Sequence, residues 1–136
     1  MNEPIFRVVS DSDVLVMDVM TECPSRNAMD IIRASKQIEL IASKELLDEA
    51  ETAICLLSSK ELSKKWRDRI EMDCEIVDQI EGDNSALSSA YFGRARHIVS
   101  CDSRLTSSKA GVIIKNRFEV SIKRPHAFVN LFDLQE

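Results

Sequence analysis

Arg7-Val8-Val9-Ser10-Asp11-Ser12-Asp13-Val14-Leu15-Val16 is the stretch that decides how this chain is read. A β-branched run stops at Ser10-Asp11, and apolar residues resume from Val14. Val8 and Val9 form too short a run for a helix and read as a buried strand. Asp11 then stands where that strand ends. In open parallel α/β sheets, ligands bind outside the carboxyl ends of the strands. An aspartate at such a place can hold a metal ion or a substrate. The plainer role is that Asp11 and Ser12 cap a helix starting near Asp13. The choice between them rests on whether the rest of the chain supplies partners for Asp11.

Outward from this stretch, strand and helix signals alternate. Val14 to Met20 continues as a short helix that ends before Pro24. Ser25 is the candidate N-cap of the next helix, with Ala28, Ile31 and Ile32 on its apolar stripe. Gln37 to Ala42 reads as a second strand. Ser43 then caps a long helix with Leu46, Leu47, Ala50, Ala53, Ile54 and Leu57 inward. Ser58-Ser59 breaks that pattern. The charged segment from Lys60 to about Ile80 reads as one more helix, with Leu62, Trp66, Ile70, Ile76 and Ile80 buried and Gly82 as its stop. Asp83-Asn84-Ser85 opens a helix carrying Ala86, Leu87, Ala90, Tyr91 and Ala95. Arg96 to Ser100 is a third strand, which ends in Cys101-Asp102 as the first ends in Asp11. Ser107 or Ser108 caps a helix to about Lys115, Glu119 to Ile122 is a fourth strand, and Pro125 starts a last helix with Phe128, Leu131 and Phe132. Strands alternating with helices imply one domain over residues 1–136, an α/β/α sandwich around a parallel sheet of four to five strands.

Composition bounds the function classes. A hydrophobic fraction of 44% with 30% charged residues is that of a soluble globular protein. No apolar run approaches the ~20 residues that span a bilayer. The start, Met-Asn-Glu-Pro, has no basic region followed by an apolar one, so the expected compartment is the cytoplasm. Cys23, Cys55, Cys74 and Cys101 form no C-x-x-C pair, which argues against zinc and leaves buried free thiols as the expectation. The net charge of −5 is unevenly spread. From Arg94 to Arg124 there are eight Lys or Arg against two acids, leaving ten basic and twenty-one acidic residues elsewhere. Such asymmetry suits a basic face against a phosphate backbone, and equally a solvated surface.

Two strands thus end in aspartate, at Asp11 and Asp102. Glu49 borders the buried face of its helix one turn from Leu46 and Ala53, with Glu45 as the competing candidate and Asp48 turned outward. Asp83 has an obvious capping role of its own. Taken in order, these motifs resemble the PIN domain (PilT N-terminus) family of metal-dependent ribonucleases. Val8-Val9-Ser10-Asp11-Ser12-Asp13-Val14-Leu15 is similar to its V-V-x-D-T-N-V-L opening. Ser43 to Glu49 resembles the segment with the second acid. Asp83, Ala90 and Ile98-Val99-Ser100-Cys101-Asp102 resemble the D-(x)n-A-(x)n-V-T-x-D ending, with nineteen positions between the two aspartates. Val120 to Phe128 resembles the closing strand, proline and helix. Asp13 stands where the family has asparagine, and Ser12 and Ser100 stand in for threonines, keeping a hydroxyl.

The resemblance implies an acidic pocket of Asp11, Glu49, Asp83 and Asp102, supported by Ser12, Asp13 and Ser100. Hard oxygen ligands of this kind select Mg²⁺ or Mn²⁺, which can activate a water against a phosphodiester. Arg94, Arg104 and Lys109 are the candidates for RNA phosphate contacts, and a homodimer is expected from the same likeness. His97 and His126 read as structural. Three functional readings follow: an active endoribonuclease cutting RNA, a PIN-like scaffold that binds RNA or protein without cutting, and the toxin of a toxin–antitoxin pair held by an antitoxin protein. A nucleotide-binding fold is disfavoured, since neither G-x-G-x-x-G nor G-x-x-x-x-G-K-[ST] occurs.

Overall fold

Five short segments make the framework in the computed structural model, which describes residues 6–80, 84–102 and 120–133. They are β1 (Phe6–Ser10), β2 (Ile38–Ser43), β3 (Cys74–Val77), β4 (His97–Val99) and β5 (Ser121–Lys123). All pair in parallel, in the order β3-β2-β1-β4-β5. The inner strands carry Val8, Val9, Ile41, Ile98 and Val99, all fully buried. Such uninterrupted apolar runs are what a parallel strand needs when helices cover both faces.

Among the described residues the helices are α1 (Ser12–Met20), α2 (Pro24–Ala34), α3 (Lys44–Leu57), α4 (Lys60–Asp73), α5 (Ser85–Gly93) and α6 (Pro125–Asp133). Side-chain caps fix where several begin. Ser43 Oγ accepts from Leu46 N–H at 3.1 Å and Ser59 Oγ from Leu62 N–H at 3.0 Å. Asn84 Oδ1 accepts from Ala86 and Leu87 N–H. At α2 the expectation fails: Cys23 is the N-cap and Ser25 lies buried inside the helix. Pro24 at the first helical position explains this, because its missing N–H costs nothing there.

Chain path and handedness set the layers. The connections β1 to β2 to β3 run one way, and β3 to β4 then returns across β2 and β1. Right-handed crossovers place α1 to α4 on one face and α5 on the other. α6 comes back to the first face, against α2. Strand order therefore reverses between β1 and β4, which sit side by side.

The segment from Lys60 to Ile80 is not one helix. α4 stops at Asp73, and Cys74–Val77 forms the edge strand β3, with Leu40 opposite Cys74 and Ala42 opposite Ile76. Glu71 and Asp73 in the last turn of α4 oppose the helix dipole. The β-branched Ile76 and Val77 gain a partner strand instead. Of the five positions expected inside, Ile70 is buried, Leu62, Trp66 and Ile80 are half-buried, and Ile76 is exposed. Gly82 and the helix expected at 107–115 lie outside the described residues. The thiols also differ from expectation: Cys101 is exposed and Cys23, Cys55 and Cys74 are only half-buried. No helix among the described residues is long and apolar enough to cross a membrane.

The end of α5 shows how closely this helix lies on the sheet. A Cβ on Gly93 would collide with the Ile41 side chain, which is itself fully buried. Arg7 Nε donates to Gly93 O at 2.6 Å. The next residue, Arg94, ends the helix with a positive φ of 56°. Gly93→Ala should therefore cost about 1–3 kcal/mol through overpacking. Arg94→Gly should gain up to about 1 kcal/mol by relieving a left-handed non-glycine residue. Thermal melts followed by circular dichroism check both, and a neutral Gly93→Ala would contradict the close approach of α5 to β2.

Candidate functional site

The site grows from the reversal of strand order. Ser10 lies opposite Val99, and Asp11 N–H donates to Val99 O at 2.9 Å, the last rung between β1 and β4. Beyond it the two chains part into α1 and the 100–102 segment. Crevices at such a reversal are where open α/β sheets bind ligands.

Asp11 fills both roles raised by its sequence position. One oxygen, Oδ1, accepts from Ser12 N–H at 2.8 Å and caps α1. The other, Oδ2, accepts from Ser100 Oγ at 2.9 Å. Ser100 is fully buried, and its Oγ in turn accepts from Asp102 N–H at 3.0 Å. A second tie crosses the crevice, from Cys101 N–H to Asp13 Oδ2 at 3.2 Å. Residues 11–13 and 100–102 are thus interlaced, and Asp11, Asp13 and Asp102 share one small region.

Their mutual repulsion is visible in their acidities. Burial first, and the Asp102 charge after it, push Asp11 above the usual carboxylate range, against the Ser100 and Ser12 hydrogen bonds. Burial and the Asp11 charge, with a smaller push from Asp102, hold Asp13 up at about 6. Among the described residues, neither Asp11 nor Asp13 forms an ion pair with Lys or Arg. The contrast is Asp18, just as buried, whose two oxygens receive Arg33 at 2.8 and 2.9 Å.

The remaining expected residues are placed as follows. Glu49 is exposed on α3, and Ser85 Oγ donates to its Oε1 at 2.7 Å. That bond joins it to the first residue of α5, beside Asn84, rather than to the aspartates. Asp83, immediately before, lies outside the described residues, as do Arg104 and Lys109. Glu45 lines a separate groove with Ile76, Asp78 and Phe92. Asp48 turns outward, as expected, and pairs with Arg67 at 2.6 Å. Arg94 does not join the acids. It ends α5 just before β4 begins, and so stands at the amino end of the sheet, across the molecule from Asp11. Among the described residues, no group of three or more His, Cys, Asp or Glu side chains could by itself hold a metal ion.

One basic residue at the correct end was not singled out from the sequence. Arg124 follows β5, is exposed, and donates from Nη1 to Cys101 O at 3.3 Å. The signal that could have found it was positional: it leaves the strand next to the one ending in Asp102.

Comparison with known proteins gives a family without an activity. A model for a family of unknown function, DUF7384, matches residues 2–136. The chain belongs to DUF7384. No curated protein matches this DUF7384 chain. Among solved structures it is similar to a chain of VapBC2 from Rickettsia felis, crystallised bound to a DNA fragment from their promoter. The TM-score is 0.54 at 13% identity, covering 87% of this chain and 98% of that one. At that identity the likeness concerns the fold, which is PIN-like.

Asp13 offers a test of this electrostatic arrangement. A carboxyl with a folded pKa of about 6, above its ordinary 3.8, stabilises the fold at low pH, and that contribution is lost as pH rises through 6. At neutral pH the ionised group is a cost. Asp13→Asn should therefore raise stability at pH 7.5 by about 1 kcal/mol, allowing for solvent screening, and should change little below pH 4. Melting temperatures across pH 3.5–8 measure the difference, and a gain of equal size at both ends would refute the assignment.

Proposed function

We propose that this protein is a PIN-type endoribonuclease that depends on Mg²⁺ or Mn²⁺. The observation that carries the reading is the meeting of Asp11, Asp13 and Asp102 where β1 and β4 diverge. Three acids in one crevice, two of them with raised pKa values and no cationic partner among the described residues, form a site that a divalent cation would relieve.

The donor set fits such an ion in kind, since the side chains of Asp11, Asp13, Ser100 and Asp102 all offer oxygen. Asp11 and Asp102 would hold the ion, with Asp83 and Glu49 assigned to complete the set by resemblance. When bound, the ion supplies an activated water and charge neutralisation at the scissile phosphate. The chain's own contribution is orientation. The Ser100 hydroxyl fixes the Asp11 carboxylate through Oδ2 and the Asp102 backbone through its N–H, so one side chain sets the spacing of two acids. Cys101 N–H holds Asp13 in the same way from the side.

A second reading is favoured by the likeness to a VapBC2 chain: a toxin in a toxin–antitoxin pair, with an antitoxin protein as partner. This adds a partner and leaves the chemistry unchanged. A scaffold that binds RNA without cutting would retain the fold and lose turnover.

Cleavage and metal binding separate these readings. Purified protein should cut single-stranded RNA with Mn²⁺ or Mg²⁺ and stop in EDTA. Asp11→Asn should lose most of that activity. At a hundredfold excess over Kd, Mn²⁺ should stabilise the wild type by roughly 2.7 kcal/mol. Asp11→Asn should melt higher than wild type without metal, because an ionised, crowded carboxylate has been removed, and should gain far less from Mn²⁺. Glu45→Gln, in its separate groove, should keep the full gain. Metal stabilisation without cleavage would select the scaffold reading. Equal stabilisation of the wild type and Asp11→Asn would remove Asp11 from the metal site.

A further inference from the structure

We propose that Arg124 is the residue by which this site grips a phosphate of the bound RNA strand, a role that rests on the ribonuclease reading above. A crevice of aspartates repels a phosphodiester, so a substrate of that class needs a cation nearby that the acids have not already neutralised. Arg124 meets this requirement. It follows β5 at the carboxyl end of the sheet, where Ser100 N–H bonds to Lys123 O at 2.9 Å and so fixes the two segments side by side. Its Nη1 donates to Cys101 O, the carbonyl immediately before Asp102. That bond anchors one side of the guanidinium at the residue before Asp102, and the side chain as a whole is exposed.

Among the described residues Arg124 forms no ion pair. This separates it from Arg7, Arg33 and Arg67, whose guanidinium groups are occupied by carboxylates. The planar fork of an arginine suits two oxygens of one phosphate, and one anchored edge lowers the entropy lost on binding. The backbone supports the placement: Phe128 N–H bonds to Arg124 O, so Arg124 is held at the start of α6. Arg94, exposed and basic as well, stands at the opposite end of the sheet and serves as the internal comparison.

Binding of a short fluorescein-labelled oligouridylate, followed by anisotropy in Ca²⁺ at several salt concentrations, tests the assignment. Arg124→Ala should weaken binding roughly tenfold and flatten the slope of log affinity against log salt by about 0.7, the loss of one phosphate contact to a single strand. Arg124→Lys should keep the slope and recover part of the affinity, which a merely structural role would not produce. Arg94→Ala should change neither. If Arg124→Ala keeps the wild-type affinity and slope while the wild type cleaves RNA, the assignment of Arg124 is overturned and the ribonuclease reading stands. If the wild type binds no RNA, both fall.

Discussion

The hydrogen bond from Asp11 N–H to Val99 O closes the pairing of β1 with β4, and the candidate site depends on it. Their paired residues, such as Val9 and Ile98, are 89 positions apart in sequence and adjacent in the sheet. Where their ladder ends, each chain must turn away, and both do so on an aspartate-bearing segment. The Ser100 hydroxyl then couples the two turns by bonding to one and capping the other. A one-residue slip between β1 and β4 would turn alternate side chains to the wrong face and separate these groups. Fully buried Val8, Val9, Ile98 and Val99 make such a slip costly.

The core therefore holds the acids against their own repulsion. Asp11 and Asp13 would each be more comfortable in water, and burial raises both. Elsewhere the protein answers buried charge with a partner, as Arg33 does for Asp18 and as Asp48, Glu51 and Glu71 do for the largely buried Arg67. A crevice that departs from this habit is where local stability has been given up, and such departures concentrate at functional sites.

Much of this was legible in the sequence because the strongest signals were local. Val8-Val9 before Asp11 and Ile98-Val99 before Ser100 mark central strands, and Ser43 and Ser59 sit where helices start. The strand Cys74–Val77 was hidden because it follows a charged helix without a turn residue between them, and because an edge strand buries too little to show an apolar pattern. The cap of α2 was misplaced because a proline at the first turn leaves Cys23, a poor capping residue, in the N-cap position. Of the site, the aspartates at strand ends could be read from position alone. Two features could not. Glu49 bonds to Ser85 and Arg94 stands at the far end of the sheet, since helix length and crossover path, which fix those places, are not set by local pattern. Arg124 was hidden for the same reason, as only the order β1-β4-β5 brings it beside Asp102.

On the reading proposed above, the crevice between β1 and β4 binds a divalent cation. Paramagnetic broadening by Mn²⁺ in a ¹H–¹⁵N spectrum of the labelled protein tests it most directly, because the ion erases the amide signals nearest to it whether or not any RNA is cut. Substoichiometric Mn²⁺ should first remove the amides of residues 11–13 and 100–102 and spare Gly93, Arg94 and α4. Excess Mg²⁺ should restore them by competition. Broadening spread evenly over acidic surface residues, or centred on another part of the sheet, would contradict the account.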